Sequence, residues 1–382
     1  MTTIQADGLL GAVEEIGPLL RRHAAEAEQR RRLSAATVDA LRDAGLFRMF
    51  LPASLGGREM DPPAVARVVE AVARHDAAAG WALQAGNVGD WFAARLPDAG
   101  VEEVLGDDPD VVQSAAFHPP LAGEPADGGY RLSGRRPLAS TIHDARWLFV
   151  TAVVGDGAVG AVVGADEVRV IDTWRSLGMR GTDSNDVELD GVFVPERRTF
   201  PLAPAFTPGS HHRGPLYRMP AVTILATVLV PVALAVAQGA LDALRDLAPS
   251  KMSLGTTRAL RDRSVAHVRL ARAEGLVRAA RASFSAALAE SWERVAGGGR
   301  PTLDDRAGDL LAAVHAVTSC VEAVDLVYGV AGSAAVYERS AIERCFRDIN
   351  TIRHHGFVCE GRLEAVGQVL LGLPPEFELI AF

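Results

Sequence analysis

From Met219 to Leu241 the chain carries no charged residue, which is length enough to cross a bilayer as a helix. A helix that is apolar on every side is surrounded either by lipid or by other protein elements. Pro220, Pro231, Gln238 and Gly239 interrupt or close the stretch, no second such span is evident, and no aromatic belt flanks it. The stretch is therefore expected to be a buried helix at the core of a bundle, with Pro231 at a kink or a helix start.

The texture on either side fixes the class. Up to about Leu105 apolar residues recur at three and four, as in Val38 with Leu41, and in Val65, Val68, Val69 and Val72. Ser34 is a candidate N-cap, Gly45 a candidate helix end, and Asp61 before Pro62 and Pro63 a second helix start. Between Asp110 and about Pro201 short β-rich runs follow: VVQSAAF, YRLSG, WLFVTAVV, GAVVGA, EVRVI and DVELDGVFV. Turn pairs at Gly128-Gly129, Gly155-Asp156 and Asp190-Gly191 suggest an antiparallel meander or barrel. From about Leu216 helical texture returns, with four or five helices broken at GGGR. The expected domains are 1–109 helical, 110–212 β and 213–382 a helical bundle.

Charge and composition exclude several functions. A net charge of −9 argues against nucleic acid and against an anionic membrane, both of which need a cationic face. Lys251 is the sole lysine, so chemistry that needs an ε-amine has almost no candidate. Cys320, Cys345 and Cys359 lack CxxC spacing, so neither a disulfide framework nor a metal site is expected, and a reducing cytoplasm fits. The first residues, MTTIQADGLLGAVEE, lack the order of an export signal. Gly155, Gly157 and Gly160 match a dinucleotide-loop spacing, but strand texture on both sides predicts a hairpin, so no NADH site is assigned.

Four segments together resemble the acyl-CoA dehydrogenase superfamily: AGLFRMFLPASLGG, GGYRLSGRRPLAS, WRSLGMRGTDSNDVELDGVFVPE and ERCFRDINTIRHHGF. They occur in family order and span nearly the whole chain. The resemblance implies a mainly α fold with a helical N-terminal domain, a central β-barrel and a C-terminal four-helix bundle. It also implies a flavin, FMN or FAD. Ser140 falls where the family has a hydroxyl at flavin N5, and Trp147 matches the family's strand tryptophan. The alternative for Ser140 is that it merely ends a strand and caps a turn. Phe117 and His118 correspond to the loop that contacts the flavin, with His118 also a candidate catalytic group. Arg258, Arg261 and Arg263 lie where relatives bind the flavin phosphates of a neighbouring subunit, and arginine forks suit phosphate; an ordinary solvated helix start is the alternative. Gly329, Gly332 and Ser333 resemble the turn that meets flavin across the interface, where missing Cβ atoms permit close approach.

The branch within the family turns on one position. Dehydrogenases of the family place a glutamate eight residues after the aspartate of an Arg-Asp pair, here Arg347-Asp348, and that position is Gly356. The preceding His355 stands where two-component flavin monooxygenases carry a histidine. Seven residues are two helical turns, so if the helix continues His355 shares a face with Asp348 while His354 points elsewhere. The resemblance thus implies an oxygenase component that takes reduced flavin from a separate reductase and uses O2 to hydroxylate a small aromatic or amine substrate. His355 would serve as base or as hydrogen-bond partner of flavin-bound oxygen, and a homodimer or homotetramer is expected. Trp81, Trp91, Phe92 and Trp174 are candidate pocket walls. Leu138, Thr141, Ile142 and Asn87 depart from the hydroxylase pattern and put the pocket's shape in doubt. The alternatives are a flavin dehydrogenase or oxidase with its base elsewhere, for instance Glu360, and a flavin-free ligand-binding relative.

Overall fold

The computed structural model describes residues 2–203, 209–252 and 255–381. Helices α1 (Thr2–Arg30), α2 (Ala35–Asp43), α3 (Pro62–His75), α4 (Ala77–Ala93) and α5 (Asp98–Leu105) come first. Local chemistry sets their limits. Ser34 Oγ accepts the Thr37 N–H at 3.2 Å to start α2, and Gly45, at φ 64°, takes the left-handed turn that follows it. Asp61 Oδ1 accepts the Ala64 N–H at 2.7 Å and Pro62 begins α3. Val65, Val68, Val69 and Val72 are fully buried on one stripe of that helix.

The strands are β1 (Gln113–Ala126), β2 (Gly129–Ala139), β3 (Trp147–Val154), β4 (Gly157–Gly164), β5 (Arg169–Ile171), β6 (Asn185–Pro195) and β7 (Thr199–Pro201). They form one seven-stranded sheet in the order β5-β6-β2-β1-β3-β4-β7. Three expectations are corrected here. First, β1 and β3 pair in parallel, so the sheet is mixed and not an antiparallel meander. Second, the pairing order is open, with β5 and β7 at its edges, so hydrogen-bonded strands do not close a barrel. Third, Asp190-Gly191 lies inside β6. The left-handed Gly191, at φ 62°, absorbs a bulge opposite Leu132 and Gly134, and no chain reversal occurs there. The other two turn pairs do close hairpins, with Ala126 opposite Gly129 and Val154 opposite Gly157. The glycine spacing at 155–160 therefore belongs to a β-hairpin.

The remaining helices are α6 (Ala221–Leu247), α7 (Ser264–Ala296), α8 (Leu303–Ala331), α9 (Ala341–Ile352) and α10 (Leu363–Leu370). The apolar stretch is the body of α6, with Pro231 inside the helix. It packs on α3 and α4 and on α7, α8 and α9, and 94% of its most apolar stretch is buried. Protein, not lipid, supplies its surroundings. That α8 is a second long apolar helix was not expected; 67% of its most apolar stretch is buried, Leu311 on it is exposed, and so is Val336 just beyond its end.

Candidate functional site

Strand β2 ends at Ala139, where the pairing with β6 is irregular and Leu138 and Thr141 take φ values of 64° and 60°. Such backbone is uncommon for residues with a Cβ and stops the strand abruptly. The side chain delivered at this end is Ser140, which is buried. Ala139 pairs with Asn185, so the next step across the sheet brings Ser140 to Ser184. Their hydroxyl oxygens lie 2.8 Å apart, Ser184 Oγ lies 2.7 Å from Thr182 Oγ1, and Thr182 Oγ1 donates to the Met179 carbonyl at 2.9 Å. The Trp81 indole N–H, from α4, donates to Ser140 Oγ at 3.1 Å.

Helix α9 pins the loop that carries this chain. Arg347 donates to the Leu177 carbonyl at 3.2 Å, Thr351 Oγ1 accepts the Gly178 N–H at 2.9 Å, and Asp348 accepts the Met179 N–H at 2.6 Å. Gly178 has no alternative, because a Cβ there would sit 2.3 Å from the Arg347 carbonyl. Arg347 and Asp348 are adjacent in sequence but are held by other partners. Arg347 binds Glu343 at 2.6 Å and also Glu28, whereas Asp348 has Arg344 at 3.6 Å. Burial raises the Asp348 carboxyl to about 6 despite that arginine. Arg344 also binds Asp76 at 2.8 Å, and Asp76 caps α4 one turn before Trp81.

His355 does not stand on the helix. Helix α9 ends at Ile352, so the two-turn spacing from Asp348 does not set its direction. The following turn sets it: the His355 N–H donates to the Ile352 carbonyl at 2.9 Å, and the His355 carbonyl accepts from Val358 and Cys359 at 3.0 Å each. This places the imidazole edge-on to Trp81, ring centres 5.4 Å apart, with Phe357 also at 5.4 Å. His354 is exposed. Burial, helped by Arg362, lowers the His355 pKa to about 4, so the ring is neutral at pH 7. The Phe357 N–H points at Nδ1 at 3.4 Å, which leaves the ring proton on Nε2.

The expected flavin loop at 116–119 is a bulge inside β1, because pairing with β3 slips between Ala116 and Leu121. Phe117 turns inward to Phe92, Phe149 and Phe357, at 5.2, 5.4 and 5.5 Å between ring centres, while His118 is exposed. Among the pattern departures, Thr141 Oγ1 donates to the Ser140 carbonyl at 2.6 Å, Ile142 is buried, and Leu138 is exposed. Asn87 is a core fastener: it accepts from Phe50 N–H and donates to the Leu46 and Leu83 carbonyls. Trp91 donates to the Leu216 carbonyl and belongs to the core, Trp174 donates to the Met179 carbonyl, and Glu360 is exposed. Of the four suggested wall residues, Trp81 is the one that touches both Ser140 and His355. Thr182 and Ser184 lay within a quoted motif but carried no assignment; small hydroxyls opening the strand that pairs with Ser140's strand were the available signal.

The arginine and glycine candidates form a second group. Arg258 is exposed with its guanidinium on the Asp262 carbonyl at 2.5 Å, and Arg263 precedes α7. Gly329 lies in the last turn of α8, where a Cβ would come 2.7 Å from Arg269 Nη1. Gly332 ends that helix at φ 59°, and the Ser333 hydroxyl accepts from Lys251 at 3.2 Å.

The chemistry of both groups suits a flavin. A chain of steeply inclined ring contacts runs from Trp81 through His355 and Phe357 to Phe117, starting beside a strand-end hydroxyl that can meet a ring nitrogen, and the exposed Arg258 guanidinium suits phosphate. Comparison with known proteins follows the same line. Residues 13–96 match the acyl-CoA dehydrogenase N-terminal domain and residues 227–360 the acyl-CoA dehydrogenase C-terminal domain. Indole-3-acetate monooxygenase of Pseudomonas putida is 28% identical, over 92% of this chain and 90% of that protein. The oxygenase component of FADH(2)-dependent resorcinol hydroxylase from Rhizobium sp. is 30% identical, over 96% of this chain and 95% of its own. The crystal structure of 3-HSA hydroxylase from Rhodococcus sp. RHA1 superposes with a TM-score of 0.90 at 27% identity, covering 97% of this chain and 98% of that one. XiaF from Streptomyces sp., in complex with FADH2 and glycerol, gives 0.91 at 26% identity over 98% of both chains.

Proposed function

The chain belongs to the acyl-CoA dehydrogenase superfamily and is a flavin-dependent monooxygenase, and from that premise we propose the roles of its residues and the class of its substrate. Reduced FMN or FAD, delivered by a separate reductase, supplies when bound the electrons that activate O2. Ser140 hydrogen-bonds the N5 edge, Phe117 flanks the ring, and the exposed His118 lies on the approach to it. His355 faces the substrate as a neutral imidazole that donates from Nε2. Its low pKa supports a hydrogen-bonding role over a base role, because an efficient base has a pKa near the working pH. Arg258 and Arg263 hold flavin phosphate, and Gly329, Gly332 and Ser333 let the backbone approach a flavin of a second copy of the chain. The protein is then a homodimer or homotetramer built through the bundle, working in the cytoplasm, with the division at 109/110 and 212/213 separating its three units.

One observation carries this reading: Trp81 joins Ser140 and His355, by a 3.1 Å hydrogen bond to one and a 5.4 Å ring contact to the other. A strand-end hydroxyl and a neutral imidazole thus flank a single rigid residue. Gly356 and the exposed Glu360 offer no carboxylate base beside Trp81, so the dehydrogenase alternative gains no support. The substrate is an aromatic ring of the phenol or indole class, in keeping with the chain of aromatic rings from Trp81 to Phe117 and with the substrates that the relatives' names give. The test supplies reduced flavin through an independent NADH:flavin reductase, a panel of phenols and indoles, and ¹⁸O₂. A product heavier by one ¹⁸O atom is expected; oxygen label found in water and peroxide alone, across the panel, would remove the aromatic assignment.

A further inference from the structure

Counting protons along the hydroxyl chain gives it a direction. Each serine or threonine hydroxyl has one proton to give and two lone pairs to receive with. The Met179 carbonyl can only accept, so Thr182, at 2.9 Å, gives its proton there. That carbonyl is held by two further donors, the Trp174 indole N–H and the Thr182 N–H, each at 3.1 Å. While the Thr182 proton stays on that carbonyl, Ser184 at 2.7 Å donates to Thr182 and Ser140 at 2.8 Å donates to Ser184; distance alone permits either oxygen of each pair to donate, so the Thr182 bond is what sets the order. The Trp81 indole, which is a donor only, occupies one Ser140 lone pair. Ser114 and Thr141 cannot reverse the order, because both donate to the Ser140 carbonyl, each at 2.6 Å. Ser140 Oγ is left with one free lone pair and no free proton.

A reduced flavin carries an N–H at N5, whereas an oxidised flavin has a lone pair there. We infer that Thr182 and Ser184 are positioning residues that fix Ser140 as a hydrogen-bond acceptor and thereby make the site select reduced over oxidised flavin. The inference rests on the proposed placement of Ser140 at N5. Reversing the chain to offer oxidised flavin a proton would give up the bond to the Met179 carbonyl, and one such bond corresponds to roughly tenfold in a binding ratio. An oxygenase fed by a separate reductase gains from this, since oxidised flavin leaves and the next reduced molecule enters.

The test measures two dissociation constants for each variant, one by anaerobic titration with reduced FMN or FAD and one with the oxidised form, alongside a melting curve. Wild-type protein is expected to bind the reduced form more tightly. Ser184→Ala frees the Ser140 proton, so the ratio of the two constants should fall by about tenfold, chiefly through tighter binding of oxidised flavin. The potential of bound flavin should fall with it by about 30 mV, the two-electron equivalent of tenfold. Thr182→Val should move the ratio the same way by less, and Thr182→Ser should restore it. An unchanged ratio in both Ser184→Ala and Thr182→Val, with Ser140→Ala still altering flavin binding, overturns the inference while leaving Ser140 at the flavin. Unchanged constants in Ser140→Ala defeat the placement itself. Should Ser184→Ala not fold, the Thr182→Val and Thr182→Ser pair decides.

Discussion

The two candidate groups differ in how they are finished. Around Ser140, side chains from α4, β1, β2, the 178–184 loop and the turn after α9 meet within one chain, are buried or half-buried, and have most hydrogen-bonding atoms matched. At the start of α7 and the end of α8 the cations and glycines are largely exposed, and Val265, Val268, Val336 and Tyr337 beside them leave apolar surface uncovered. The first group is enclosed, and its hydroxyls and indole hold one another in a connected hydrogen-bond chain. The second has the donors of a site and only one of its walls, which is the form expected of a surface that a symmetric copy completes. On the proposed reading the first group serves the chemistry and the second cofactor retention, and the two should then respond differently to substitution, salt and dilution.

The sharpest separation comes from His355→Asn. Hydroxylated product should fall by roughly 10²–10³-fold, the usual cost of removing one preorganised hydrogen-bond donor, while flavin consumption continues and hydrogen peroxide accumulates. His354→Asn should leave product near wild type, because that side chain is exposed. Product and peroxide measured together on both variants check this, and equal coupling in His355→Asn would detach the imidazole from the reaction.

On the other side, Arg258→Ala should weaken flavin by about tenfold to a hundredfold, the range for a charged hydrogen bond, without moving the melting temperature. The loss should shrink at high salt, where exposed charges are screened, and wild-type affinity should drop when dilution dissociates the assembly. Flavin titrations at two salt concentrations, with sedimentation at micromolar protein, test both. Affinity independent of salt and of assembly would collapse the distinction between the groups.

A smaller effect is expected from acid. Because His355 titrates at about 4, it stays neutral across the working range and contributes no inflection to product formation between pH 5 and 8. The same shift has a stability sign. The unfolded histidine, near 6.5, binds a proton that the folded one refuses, so this group's contribution strengthens as pH rises from about 4 to about 6.5 and is constant above. An inflection near 6.5 that vanishes in His355→Asn would show an ordinary base instead.

Much of the architecture was legible in the sequence because it is written locally. Ser34, Gly45 and Asp61 mark helix limits through their own hydrogen bonds and backbone angles, and the uncharged run of α6 announces its enclosure. Relations between distant segments were not legible. The parallel pairing of β1 with β3, the bulge that swallows Asp190-Gly191, and the step that brings Ser184 to Ser140 are properties of register, which local periodicity does not encode. His355 shows the same limit: spacing from Asp348 suggested a helix face, yet the turn after Ile352 aims the ring. Trp81 was visible as an aromatic residue, but its indole N–H acquired meaning only beside Ser140.

The central claim, that the enclosed group controls the reaction of reduced flavin with O2, is tested most directly by rapid mixing. Protein loaded anaerobically with reduced FMN or FAD is mixed with oxygenated buffer, and absorbance is followed through the flavin bands. The predicted result is reoxidation in two phases, with a transient spectrum belonging to neither reduced nor oxidised flavin, and a shorter-lived transient in Ser140→Ala. Single-phase reoxidation at the rate of free flavin, identical in wild type and Ser140→Ala, would contradict the account.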